Sequence, residues 1–155
     1  SPELQSDFWN KTLNVIDSEN SPIITMANLS YFTDYVKKNY GEGRRIILSE
    51  CGFTSVSNGN EKQDVQAAAI AYGYYLAEAN DMVDHSVETA QGFYLGLWTC
   101  KPGALETAYT KKQAYDVFKY MDTRYYMTYT RFALPLIKKT SWEQAVPGFN
   151  PAKFT

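Results

Sequence analysis

Arg44-Arg45-Ile46-Ile47-Leu48-Ser49-Glu50-Cys51-Gly52-Phe53 passes from two cations through an unbroken apolar run to a single carboxylate and then a glycine. A strand covered on both faces shows a continuous Ile/Leu/Val run instead of alternation. Ile46, Ile47 and Leu48 supply such a run, so the stretch reads as a buried parallel strand. Gly52 lets the chain turn sharply after it. The strand therefore delivers Glu50 to the carboxyl end of a parallel sheet, where (β/α) folds gather their chemistry, and Glu50 is the first candidate for catalysis. Position alone leaves a second reading open, in which Glu50 caps the following loop or pairs with Arg44 or Arg45.

Upstream, residues 1 to 24 show no sustained period and read as an irregular arm. Thr25 opens a helix to about Tyr40, with Leu29, Phe32, Val36 and Tyr40 at helical steps, Lys37 and Lys38 at the negative end and Gly41 as the stop. Downstream, Thr54 to Asn60 reads as a polar loop. Asn60 with Gln63 then starts a second helix to about Ala79, whose buried stripe is Val65, Ala68, Tyr72, Leu76 and Ala79. Asn80 to Gln91 is polar, and Gly92 to Trp98 reads as a second strand. Thr110 with Gln113 opens a helix presenting Ala114, Val117, Phe118 and Met121. An amphipathic segment from Thr123 carries Tyr126, Tyr129, Ala133 and Ile137, with Pro135 kinking or ending it. Ser141 and Gln144 frame a last helical turn, and Phe149 to Thr155 reads as a surface-packed end.

This order implies an α/β fold of parallel βα units, yet with two strands it can cover neither its sheet faces nor its edges. The simplest resolution is that residues 1–155, a single segment, form the closing part of a larger (β/α)₈ barrel. A self-paired dimer is the alternative.

The 155 residues are 45% apolar and 21% charged, which predicts a packed core. A net charge of −2 without a basic stripe favours neither nucleic acid nor an anionic membrane as partner. Ser1 to Gln5 does not read as a signal peptide, and no apolar run reaches the roughly 20 residues needed to span a bilayer. Cys51 and Cys100 lack metal or redox spacing and read as ordinary buried thiols. Aromatic residues reach 15%, with 13 Tyr and 3 Trp, which suits either stacking on flat ligands such as sugar rings or a Tyr-rich core. Asn10-Lys11-Thr12 and Asn28-Leu29-Ser30 match glycosylation triplets, the second inside a predicted helix.

Ile47-Leu48-Ser49-Glu50 followed by Gly52-Phe53 resembles the seventh strand of the retaining (β/α)₈ glycosidases. Ala77-Glu78-Ala79-Asn80, Val83-Asp84-His85, Gln91-Gly92, Leu95-Gly96-Leu97-Trp98, Tyr115 to Tyr120 and Ser141-Trp142 with Pro147-Gly148-Phe149 resemble the C-terminal portion of a bacterial glycosidase-like domain family of undefined function. The resemblance spans most of residues 8 to 150 and implies a partial TIM barrel running from strand seven to helix eight. It also implies that Glu50 is the nucleophile of a retaining, two-carboxylate glycoside hydrolase acting on a poly- or oligosaccharide, in a parent protein that is extracellular or in the cell envelope. The acid/base of such a pair ends strand four, outside this chain, so the segment alone is expected to be inactive. The family's eighth strand is expected soon after helix seven, but only Asp81-Met82-Val83 separates Asn80 from Asp84-His85. That strand therefore reads as shortened, missing or replaced by Gly92–Trp98.

Around Glu50, Trp98 is a candidate for stacking under a sugar ring, with a core position equally open. Asp84, His85 and Glu88 are candidates for orienting substrate hydroxyls; a solvated loop is their plainer reading, and they give no case for a metal. No cofactor is implied. The expected partners are a carbohydrate substrate and the remainder of the barrel or a second copy of the chain. Fold alone does not establish activity, so a non-catalytic carbohydrate-binding or scaffold barrel is the rival, and a small self-assembling α/β module the third.

Overall fold

Ile46–Cys51 forms strand β1 and pairs in parallel with a second strand over Val83–Glu88, but the strand is not buried as expected: Ile46 and Leu48 are half-buried and Ile47 is exposed. The computed structural model describes residues 18–21, 24–53, 55–57, 60–88, 98–100 and 109–155. A turn of 3₁₀ helix, Met26–Asn28, leads into α1, Leu29–Tyr40. The Thr25 backbone N–H is held by Asn28 Oδ1 at 2.8 Å, and Gly41 ends α1 at φ 83°, a conformation that favours glycine. After β1, the short strands β2 (Val56–Ser57) and β3 (Asn60–Glu61) pair antiparallel before α2, Gln63–Glu78. The stretch expected to be a loop thus holds a small ribbon, and α2 is capped at Lys62, two residues later than the expected Asn60.

The parallel partner of β1 is β4, Val83–Glu88, which corrects the reading of Asp84, His85 and Glu88 as a solvated loop. Its pairing begins from the turn, where the Ile46 N–H meets the Met82 carbonyl at 2.9 Å. Backbone pairing makes this strand, without the apolar run that marks β1. The β1–α2–β4 unit establishes an α/β chain of mixed helix and strand with a small parallel sheet. Of the second strand expected at Gly92–Trp98, residues 92–97 lie outside the described part. Trp98 opens β5 (Trp98–Cys100), which pairs antiparallel with β6, Tyr109–Lys111. Thr110 belongs to β6, so α3 is Gln113–Tyr120.

Short helices follow: α4 (Tyr126–Thr130), α5 (Ala133–Leu136, with Pro135 inside it) and α6 (Trp142–Ala145). In α6, Ser141 Oγ caps the helix by accepting the Gln144 N–H at 3.2 Å, as its sequence announces, and Gln144 Oε1 reaches past the cap to accept the Thr140 N–H at 2.8 Å.

The core is built around α2. Its burial runs from Gln66 to Ala71 without a break and includes Gly73, Tyr75 and Ala77. A helix buried nearly all round has no single apolar stripe, which is why the expected stripe captures only part of it. Its alanines admit α3 and α5 at close range, and a Cβ on Gly73 would sit 3.2 Å from the Phe53 ring. At the other end Tyr75 meets Trp142, Phe149 and Phe154 with ring centroids 4.7, 5.0 and 5.7 Å away. Its hydroxyl donates to the Met121 carbonyl at 2.7 Å, and burial pushes its pKa well above the ordinary tyrosine value. Trp142 Nε1 donates to Thr130 Oγ1 at 3.0 Å, so both buried polar groups of the cluster are satisfied. The tail that carries Phe149 and Phe154 packs into this core.

Candidate functional site

Parallel pairing gives the sheet a chemical polarity, because both carboxyl ends fall on one side. Ile46 pairs with Val83, Ile47 with His85, Leu48 with Ser86 and Cys51 with Glu88. Between Leu48 and Cys51 strand β1 advances three residues while β4 advances two, so an extra residue sits at Ser49–Glu50. Such bulges bend a strand and re-aim its side chains, and they recur beside active sites. Glu50 and Glu88 therefore stand on adjoining strand ends, with Glu50 one residue before the partner of Glu88. His85 lies farther down β4, opposite Ile47. The side chains of Glu50, Cys51, His85, Glu88, Trp98 and Cys100 lie outside the described part.

Asp84 is at the opposite, amino-terminal end of β4. Its Oδ1 accepts from Arg45 Nε at 2.9 Å, and the Arg45 guanidinium also donates to the Asp81 carbonyl. Asp84 and Arg45 are half-exposed partners, so Arg45 is engaged at this end of the sheet. The structure thus brings Glu50 and Glu88 together and leaves Asp84 at the far end of the strand.

A second cluster borders the carboxyl end of β1. Gln66, buried on α2, donates from Nε2 to the Phe53 carbonyl at 2.8 Å. Ser55 accepts the Lys62 N–H at its carbonyl and the Lys112 ammonium at its hydroxyl, at 2.6 and 2.7 Å. Gln63 Oε1 accepts the Gln113 N–H at 3.2 Å and ties the start of α3 to the start of α2. The chain just beyond Glu50 is therefore held by the first turns of two helices, as a site on a rigid scaffold requires. Of these residues Phe53, Gln63 and Gln113 stood out in the sequence, the glutamines only as helix starts, whereas Ser55, Lys62, Gln66 and Lys112 did not. Their one signal is a lysine ahead of each helix, at positions 62 and 112.

Away from this end, a groove of about 390 Å³ runs between residues 18–21, Ile24 and Asn28 on one side and α1 on the other, with Tyr31, Phe32 and Tyr35 among its walls. Among the described residues no group of His, Cys, Asp and Glu is arranged to hold a metal ion, and no helix is long and apolar enough to cross a membrane. No curated protein and no solved structure matches the chain. A family model does, over residues 2–145: the chain belongs to DUF5722, a family of unknown function.

Proposed function

We propose that the chain is the strand-seven-to-helix-eight part of a glycosidase-type (β/α)₈ barrel and that Glu50 is the nucleophile of a retaining glycoside hydrolase. The observation that carries this reading is the register slip at Ser49–Glu50, which sets a bulge on the acid residue at the carboxyl end of a parallel strand. In the retaining mechanism the nucleophile attacks the anomeric carbon while a second carboxyl group, about 5–5.5 Å away, protonates the leaving oxygen. Water then releases the glycosyl ester with the second group acting as base. In this reading the second group is supplied by strand four of the barrel. Glu88 and His85 on β4 orient substrate hydroxyls, and Trp98 stacks under a sugar ring.

The exposure of Ile47, 64% on a parallel strand whose faces are ordinarily covered, supports further chain packed on this face of the sheet, from either the remainder of the barrel or a second copy. The test uses a full-length protein containing this segment. Glu50→Gln should keep its fold and saccharide affinity and lose turnover by at least roughly 10³-fold, because an amide cannot form and release the glycosyl ester. A mechanism-based fluoroglycoside should label Glu50 alone. Labelling of another carboxylate, or near-normal turnover in Glu50→Gln, rejects the assignment.

A further inference from the structure

Tyr120, the last residue of α3, and Tyr129, on α4, lie face to face, with ring centroids 4.2 Å apart and planes 15° from parallel. Aromatic pairs settle either stacked or edge to face. Tyr74 with Tyr75, Tyr75 with Tyr126, Tyr120 with Tyr125 and Tyr35 with Tyr40 all take the second arrangement, at 5.6 to 6.5 Å and 64 to 87°. Tyr120 and Tyr129 are therefore the stacked tyrosine pair among the described residues. Both are half-buried and reach solvent, whereas Tyr75 is fully buried. Burial first, and then the Tyr120 hydroxyl beside it, raise the pKa of Tyr129, so the two hydroxyls stand at the same end of the stack. In rings this nearly parallel, the carbons ortho to those hydroxyls also face each other.

That arrangement suits one reaction. Two phenoxyl radicals couple through their ortho carbons, and the new bond forms along the normal to each ring, where the π density of the unpaired electron lies. A stacked pair offers this approach and an edge-to-face pair does not. Tyr125, which meets Tyr120 edge on, is the nearest competitor. Its hydroxyl accepts from the Arg124 guanidinium at 2.7 Å, and that cation also lies 4.9 Å from its ring centre, which opposes removal of an electron. The Lys119 ammonium, 4.9 Å from the Tyr120 ring centre, acts on Tyr120 in the same way, so Tyr129 is the ring oxidised first.

We propose that Tyr120 and Tyr129 are an oxidative cross-linking site, at which a dityrosine bond staples α3 to α4 when a haem peroxidase, with hydrogen peroxide as terminal oxidant, acts on the chain. Each phenol gives up one electron and its hydroxyl proton, the two ortho carbons form a C–C bond, and the hydrogen on each of those carbons moves as a proton to the oxygen of its own ring. The pair loses two hydrogens in all, and one hydrogen peroxide becomes two waters. The bond closes the connection between α3 and α4 and restricts the unfolded chain, so the product is more stable to heat. Neither ring has a part in the glycosidase reading.

The test treats the dilute, folded chain with a haem peroxidase and limiting peroxide. Trypsin cuts after Lys119, Arg124 and Arg131, so peptides 120–124 and 125–131 should be recovered joined and lighter by two hydrogens. Fragmentation should place the bond at Tyr129 and not at Tyr125 or Tyr126. An equal mixture of ¹⁵N-labelled and unlabelled chains should give joined peptides of one label each, as a bond within a chain requires. Tyr129→Phe keeps the ring and should lose the product; Tyr125→Phe should retain it. In urea the preference for Tyr129 should disappear, and the cross-linked chain should melt at a higher temperature than the untreated one. No joined peptide, a bond at Tyr125 or Tyr126, mixed labels, or the same products in urea overturns the site. A cross-linked chain that melts no higher overturns its role as a staple.

Discussion

Lys37 lies 3.0 Å from both Glu42 and Asp81 and so ties the end of α1 to the turns that precede β1 and β4. The hydrogen bond from Lys37 holds the Asp81 carboxyl below its ordinary pKa, while Glu42 first and Asp81 second raise that of Lys37. A carboxylate depressed in the folded state contributes stability above its unfolded pKa, about 4, and loses it as the pH falls through the folded value. The raised lysine contributes below its unfolded pKa, about 10.4, and loses it as the pH rises through the folded value. Asp81→Asn should therefore flatten the acid side of a melting-temperature profile. Because the groups are exposed, salt on the order of 1 M should erase the difference from wild type. A difference that persists in salt points to a role for Asp81 beyond the ion pair. Tyr75 contrasts with these residues. Tyr75→Phe removes the donor to the Met121 carbonyl and should cost about 1–2 kcal/mol in urea unfolding, unchanged by salt. No loss of stability would show that water replaces the phenol. Glu50 is legible in the sequence at this scale because an apolar run and a glycine frame it. Gln66 and Lys112 are not legible, because their partners, Phe53 and Ser55, are 13 and 57 residues away in the chain.

Among the elements, β1, α1 and α6 could be read ahead of the structure because their signals are local: an apolar run, a helical stripe with a glycine stop, and a serine cap. Strand β4 could not. Asp84, His85, Ser86 and Glu88 give it a polar pattern, and what makes it a strand is the backbone of β1 alongside. Helix α2 shows the opposite failure, since packing on every side removes the periodicity by which a half-buried helix is recognised. Its dependence on neighbours gives a clear test. Trp142 on α6 is 1% exposed and meets both Tyr75 and the Thr130 hydroxyl, so Trp142→Ala should cost about 3–5 kcal/mol by chemical denaturation. Ser141→Ala, which removes only the cap of α6, should cost about 1 kcal/mol. Equal losses for the two would mean that α6 acts through its cap and not through its tryptophan.

For the whole molecule, the parallel arrangement was legible in β1 alone, whereas the single partner strand leaves its other edge and Ile47 without cover among the described residues. A parallel strand in that state pairs readily, so the isolated chain should self-associate or melt at low temperature in light-scattering and calorimetric measurements. A monomer with a cooperative, high-temperature transition would remove the need for a partner along β1. The aromatic cluster around Tyr75 bears on how the chain is made. Two of its rings, Phe149 and Phe154, come from the last seven residues of the sequence, and the Thr155 N–H closes on the Asp122 carbonyl at 3.2 Å. During synthesis the helix that carries Tyr75 leaves the ribosome more than seventy residues before those rings do. The nascent chain must therefore carry an open aromatic pocket for several seconds at ordinary elongation rates, a window in which a chaperone has something to hold.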